Sequence, residues 1–90
     1  MNTTVYLDSI DLNKLKEKYE EAYIREFVKR IDSEDLSKKT IIRHVPVKDK
    51  VLVGIYMNLD VWKKLQHWLI DNSNEDKRAN IRDAMLTLLE

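Results

Sequence analysis

The chain has no cysteine, a single proline and a single glycine among its 90 residues. Without thiols there is no disulfide framework, no thiolate metal site and no cysteine redox chemistry. A cytoplasmic setting is the expectation that accompanies such a composition. One glycine also excludes a Gly-rich phosphate loop, and few sharp turns can be made. Long apolar runs are missing too: nothing approaches the roughly 18 residues of a membrane span. The opening stretch MNTTVYLDS has neither the basic start nor the apolar segment of a signal peptide. Charge of one sign is likewise lacking, with 16 basic and 16 acidic residues, which argues against a nonspecific coat on nucleic acid.

What the chain does have is 43% hydrophobic and 36% charged residues, enough for one small, helix-rich domain with an appendage. A chain this short buries a modest share of its surface and often gains stability from a second copy. Charge is also uneven along the sequence. Between Ser37 and Lys50 lie Lys38, Lys39, Arg43, Lys48 and Lys50 against Asp49 alone. That stretch is either a solvated linker or a surface that meets phosphates.

The most informative segment is VLVGIYMNLDVWKKLQHWL, Val51 to Leu69. Val51, Val53, Ile55 and Met57 alternate with Leu52, Gly54, Tyr56 and Asn58, as in a strand with one buried face. Apolar residues then fall at Leu59, Val61, Trp62, Leu65, Trp68 and Leu69, which is helical spacing. With no second strand close by in sequence, the expected partner is a second copy of the chain. The expectation is therefore an obligate homodimer on an intermolecular two-stranded antiparallel ribbon, a device that enters the DNA major groove.

Elsewhere, Thr3 to Leu7 is β-prone but short, and Asp8, Ser9 and Asp11 offer helix caps. Leu12, Leu15, Tyr19, Tyr23, Phe27 and Ile31 form a stripe that predicts one amphipathic helix from about Asp11 to Ile31. Thr40 to Val47 contains Pro46 and suits an edge strand or an extended connector. Asn58 or Asp60 caps a helix running to about Asp71, Asn72 to Asn74 form a turn, and a last helix runs from about Glu75 to Leu89. The predicted fold class is thus α+β, mostly helical, with residues 1–45 as a helical extension plus basic connector and residues 46–90 as the dimerisation and binding domain.

Catalytic constellations are missing. His44 and His67 are far apart and fit no metal-ligand spacing; there is no nucleophile elbow and no helical His–Glu metal motif. No enzyme, metal or cofactor is expected. Tyr56 stands out differently: strand alternation puts it outside with Leu52 and Gly54, where a glycine allows a partner to approach closely.

From Lys50 to Glu90 the chain resembles a ribbon-helix-helix DNA-binding domain. The likeness is carried by the alternating strand, by Met57-Asn58-Leu59-Asp60-Val61-Trp62 leading into the first helix, by Leu65 and Trp68, and by Ala79, Ile81, Ala84 and Met85 in the second helix. Within that superfamily Val53-Gly54-Ile55-Tyr56-Met57 is most similar to regulators of archaeal viruses and plasmids. The resemblance implies a dimeric, sequence-specific double-stranded DNA-binding protein, a transcription or copy-number regulator in the cytoplasm of a host cell. It implies that Leu52, Gly54 and Tyr56 face the groove, with Lys48, Lys50, Lys77 and Arg78 as backbone anchors. The start of the second helix, Glu75 to Arg78, would meet a phosphate. Val53, Ile55, Met57, Trp62, Leu65, Ile81 and Met85 would form the dimer core. The alternative is a protein-interaction module without DNA binding, in which the N-terminal helix meets a protein partner.

Overall fold

Residues Asn2–Asp8 alternate as a half-buried strand should, and they form β1: Val5 and Leu7 are buried while Thr4 and Tyr6 are exposed. Asp8 ends the strand and caps α1, Ser9–Tyr19. Its carboxylate accepts from the Ile10 N–H at 3.2 Å, and Asp11 reaches back to the Asp8 N–H at 3.1 Å. This is a reciprocal capping box built from two aspartates. The computed structural model describes all 90 residues.

The single helix expected from Asp11 to Ile31 is two helices. Glu20 takes φ 55° and ψ −137°, a 3-10 turn occupies Glu20–Ala22, and α2 runs Tyr23–Ser33. Neither glycine nor proline marks the break, so its cause is tertiary. The bend lets the Tyr19 hydroxyl and the Lys18 ammonium both donate to the Leu89 carbonyl, at 2.6 and 3.0 Å, while Tyr23, Phe27 and Ile31 are buried in the core.

β2, Lys50–Tyr56, shows the expected alternation, with Ile55 and then Met57 buried and Leu52, Gly54 and Tyr56 exposed. Its partner, however, is β1 of the same chain, antiparallel, with Val5 opposite Val53 and Tyr6 opposite Leu52. This corrects the intermolecular ribbon. A seven-residue strand at the other half of the chain supplies the N–H and C=O groups that β2 requires. The reason for an obligate homodimer goes with it. Ile55, Met57, Leu65 and Met85, assigned to a dimer core, are buried within one chain, and Val53, Trp62 and Ile81 pack half-buried against that same core.

Residues 39–49 form no strand. They run as an extended connector whose backbone is held by side chains of the helices. The Trp68 indole donates to the Lys39 carbonyl at 2.9 Å, and the Ile41 N–H donates to Asn72 at 2.9 Å. His44 N–H donates to Asp83 at 3.1 Å, and Arg82 donates to the Val45 carbonyl at 2.6 Å.

After β2, Asn58 caps α3, Leu59–Asp71, by accepting from the Val61 N–H at 2.9 Å. The last helix, α4, spans Ile81–Leu89 and is capped by Asn80; it does not start at Glu75. Asn74 prevents the earlier start. Its side-chain oxygen accepts from the Asp76 and Lys77 N–H groups at 3.1 and 2.8 Å, a local turn that competes with helix. Residues 75–78 are therefore loop, not a helix N-terminus.

α4 is buried almost all round, the mark of a central helix. Its final carbonyls are taken by Lys18, Tyr19 and Arg30, two cations and a hydroxyl at the negative end of the helix. Near its start Arg82 pairs with Asp11 of α1 at 2.7 Å, their side chains only 7% and 15% exposed. Removing one member of such a buried pair costs about 3–5 kcal/mol, because the other charge is left without a partner. The core draws on β1, α1 and α2 as well as on β2, α3 and α4, the larger share coming from the latter, so both halves of the chain contribute to one core. The N-terminal helical stripe is packed into this core, with Leu15, Tyr23, Phe27 and Ile31 buried and Leu12 and Tyr19 half-buried against it.

Candidate nucleic-acid interface

The two strands leave one face in water. On it β1 presents Asn2, Thr4 and Tyr6, and β2 presents Lys50, Leu52, Gly54 and Tyr56. Tyr6, Leu52 and Tyr56 are 54%, 55% and 70% exposed, on the kind of water-facing antiparallel surface that usually carries polar side chains. Lys50 lies over the Tyr6 ring, 5.6 Å from its centroid, a weak cation–π contact that steers the ammonium toward this face.

Gly54 sits opposite Thr4 in the middle of the face. Its φ is not positive, and a Cβ built there meets nothing within 4 Å. Neither backbone nor packing requires glycine at this position, although glycine in a strand weakens it. The bare backbone leaves a flat spot between Leu52 and Tyr56.

The ladder also fixes what the sheet edges offer. Met57 N–H donates to the Met1 carbonyl and Ser9 N–H to the Asp49 carbonyl, each at 3.0 Å. These two bonds bracket an antiparallel register in which the odd-numbered pairs exchange hydrogen bonds. The N–H and C=O groups of Thr4 and Tyr6 therefore point to the open edge of β1, and those of Leu52, Gly54 and Tyr56 to the open edge of β2.

Beside the β1 edge lies a cleft of about 870 Å³, whose lining includes Tyr6, Arg43, Lys50, Trp62 and Arg78. At the other end of β2 a shallower groove of about 580 Å³ brings Tyr56 next to Ile24 and Val28 of α2. The site residues expected from the sequence are thus divided. Lys50 and Arg78 share the cleft with Trp62 and Ile81, Leu52 and Gly54 occupy the middle of the sheet face, and Tyr56 is at its far end. Lys77 is in the exposed loop before α4 and Lys48 is exposed just before β2.

Sequence reasoning missed Thr4 and Tyr6, because β1 was not recognised as the second strand of the ribbon. The signal was present: Thr3, Val5 and Leu7 alternate with Thr4 and Tyr6 just as Val51 to Met57 alternate. In the sequence Arg43 is marked only as part of the basic stretch from Lys38 to Lys50.

Asp8 fastens the end of the sheet beside Lys50. Its carboxylate accepts from the Lys48 N–H at 2.9 Å, and this bond, followed by that from Ile10, holds its pKa below the ordinary 3.8. His44 stands 3.6 Å from Asp83 and 3.5 Å from Glu90, whereas His67 is exposed on α3. No three His, Asp or Glu side chains converge in a way that could hold a metal ion, and no helix is long and apolar enough to cross a membrane. Compared with protein-family models, with curated proteins and with solved structures, the chain matches none.

Proposed function

We propose that this protein binds double-stranded DNA through the outer face of the β1–β2 ribbon, as a transcription or copy-number regulator. A two-stranded ribbon fits a major groove about 12 Å wide. The observation that carries the proposal is the outer face itself. Two exposed tyrosines and a leucine surround a glycine that the fold does not need, with Lys50 at one end of the strand. β1 adds Asn2, Thr4 and the Tyr6 hydroxyl, side chains with donors and acceptors for base edges. The order β2–α3–α4 is that of a ribbon-helix-helix unit, but here the second strand of the ribbon belongs to the same chain. The binding unit in this proposal is accordingly one chain.

The test is a titration of labelled duplex DNA carrying the gene's own upstream region, at two salt concentrations. Affinity should fall steeply as salt rises, and Lys50→Ala should reduce the slope by about one unit. Tyr56→Ala or Tyr6→Ala should weaken a specific site by about 1–3 kcal/mol more than random duplex. Gly54→Val separates recognition from folding. It should hold or raise stability, by roughly 0.5–1 kcal/mol, while obstructing the duplex. Affinity weaker than about 10⁻⁴ M at low salt, below the usual nonspecific range, would sink the proposal. A protein partner added as a strand at the open β2 edge would then be the better reading.

A further inference from the structure

We infer that the cleft beside the β1 edge binds a phosphorylated ligand with a planar ring, of the nucleoside 5′-monophosphate class. The first ground is charge. Arg43, Lys50 and Arg78 line the cleft, and none of the three is in an ion pair. Arg82, the fourth cation of the lining, is already committed to Asp11 and to the Val45 carbonyl. Asp83 is the one lining carboxylate; it is buried and accepts from the His44 N–H. Three unpaired cations gathered around one hollow repel each other, and a dianion placed among them removes that cost.

The second ground is arrangement. An Arg43 guanidinium N–H donates to the Arg78 carbonyl at 3.0 Å, which holds it at the start of the segment leading into α4 and leaves its other donors free. A guanidinium presents its N–H groups in a fixed fork suited to phosphate oxygens. The open β1 edge adds the backbone N–H groups of Thr4 and Tyr6 on the same side.

The third ground is shape and lining. An inorganic anion fills little of about 870 Å³, a volume within the usual range of small-molecule sites. Two aromatic rings border the space: Tyr6, more than half exposed, and Trp62, half-buried on α3. Trp68, by contrast, is buried and bonded to the Lys39 carbonyl, so it plays no part. Cations for a phosphate together with rings for a base describe a nucleotide better than either component alone.

This site does not rest on the duplex proposal, and Tyr56 tells the two apart because it lies outside the cleft lining, at the far end of β2. The experiment is a titration of the full chain with AMP, adenosine and inorganic phosphate in parallel, followed by backbone amide shifts in NMR. AMP should bind with Kd below about 1 mM, moving the amides of Thr4 to Tyr6, Arg43 and Arg78. Adenosine and phosphate should each bind at least about tenfold more weakly. Arg43→Ala with Arg78→Ala should weaken AMP at least about tenfold with an unchanged circular dichroism spectrum, and Tyr56→Ala should leave AMP binding untouched. No AMP binding at about 5 mM, shifts mapping away from the cleft, or phosphate binding as tightly as AMP would each overturn the inference.

Discussion

Asp8 does three jobs with one short side chain: it ends β1, caps α1 and fastens the connector just before β2 through the Lys48 N–H. The bonds it accepts, from the Lys48 N–H first and the Ile10 N–H second, favour the carboxylate over the acid and hold its pKa below the ordinary 3.8 in the folded chain. A folded pKa below the unfolded one gives stability that is fully present above the ordinary value. That stability is lost as pH falls through 3.8 toward the lower folded value. Asp8→Ala should therefore be less stable than the parent at pH 7, and the gap should narrow once the pH is taken below the carboxylate range. Urea midpoints of the two proteins at neutral and acid pH check this. An equal gap at both would assign the effect to something other than charge.

At the level of elements, the division of the first helical region is the least expected feature. Glu20, with φ 55°, occupies backbone space that residues with a Cβ enter at a cost of order 1–3 kcal/mol. Its side chain is exposed and in contact with solvent, so replacing it removes no packing. Glu20→Gly should raise the thermal midpoint, by an amount corresponding to about 1 kcal/mol; a lowered midpoint would mean that the bend is not strained. The periodicity of Leu12, Leu15, Tyr19, Tyr23, Phe27 and Ile31 was legible, as were the alternation of β2 and the apolar spacing of α3, because each is a local pattern. The bend was not, since it serves contacts of Lys18 and Tyr19 with the end of α4. The late start of α4 is hidden for the opposite reason. Asn74 makes a purely local turn, but Glu75 to Ala79 read as helix formers on propensity.

Across the whole molecule, what was hidden is what joins distant segments. The pairing of β1 with β2, the Asp11–Arg82 pair and the cleft are each assembled from segments that share no local pattern. Residues expected to need a second copy, Ile55 and Met57 above all, are 2% exposed in one chain. Folding should therefore be independent of association. The denaturation midpoint is expected not to change when protein concentration is varied a hundredfold, a range over which the stability of an obligate dimer would shift by about 3 kcal/mol. Circular dichroism at low and high concentration decides it, and a midpoint that climbs with concentration would restore the obligate dimer.

The strand pairing that closes the sheet has a consequence for how the protein reaches its structure. The bonds that fasten β1 to the other half of the chain connect residues 40 to 56 positions apart. Closing a loop of that size costs about 3–4 kcal/mol of chain entropy before any contact repays it, so this sheet belongs to the high contact-order end of a protein otherwise made of local helices. During synthesis β1 emerges first and must wait, unpaired and β-prone, until Lys50 to Met57 has followed. α1 and α2 can form in that interval, and their packing with α4 cannot. The rate-limiting event in refolding should be this late meeting of the two ends, with helical signal appearing before sheet and before the burial of Trp68.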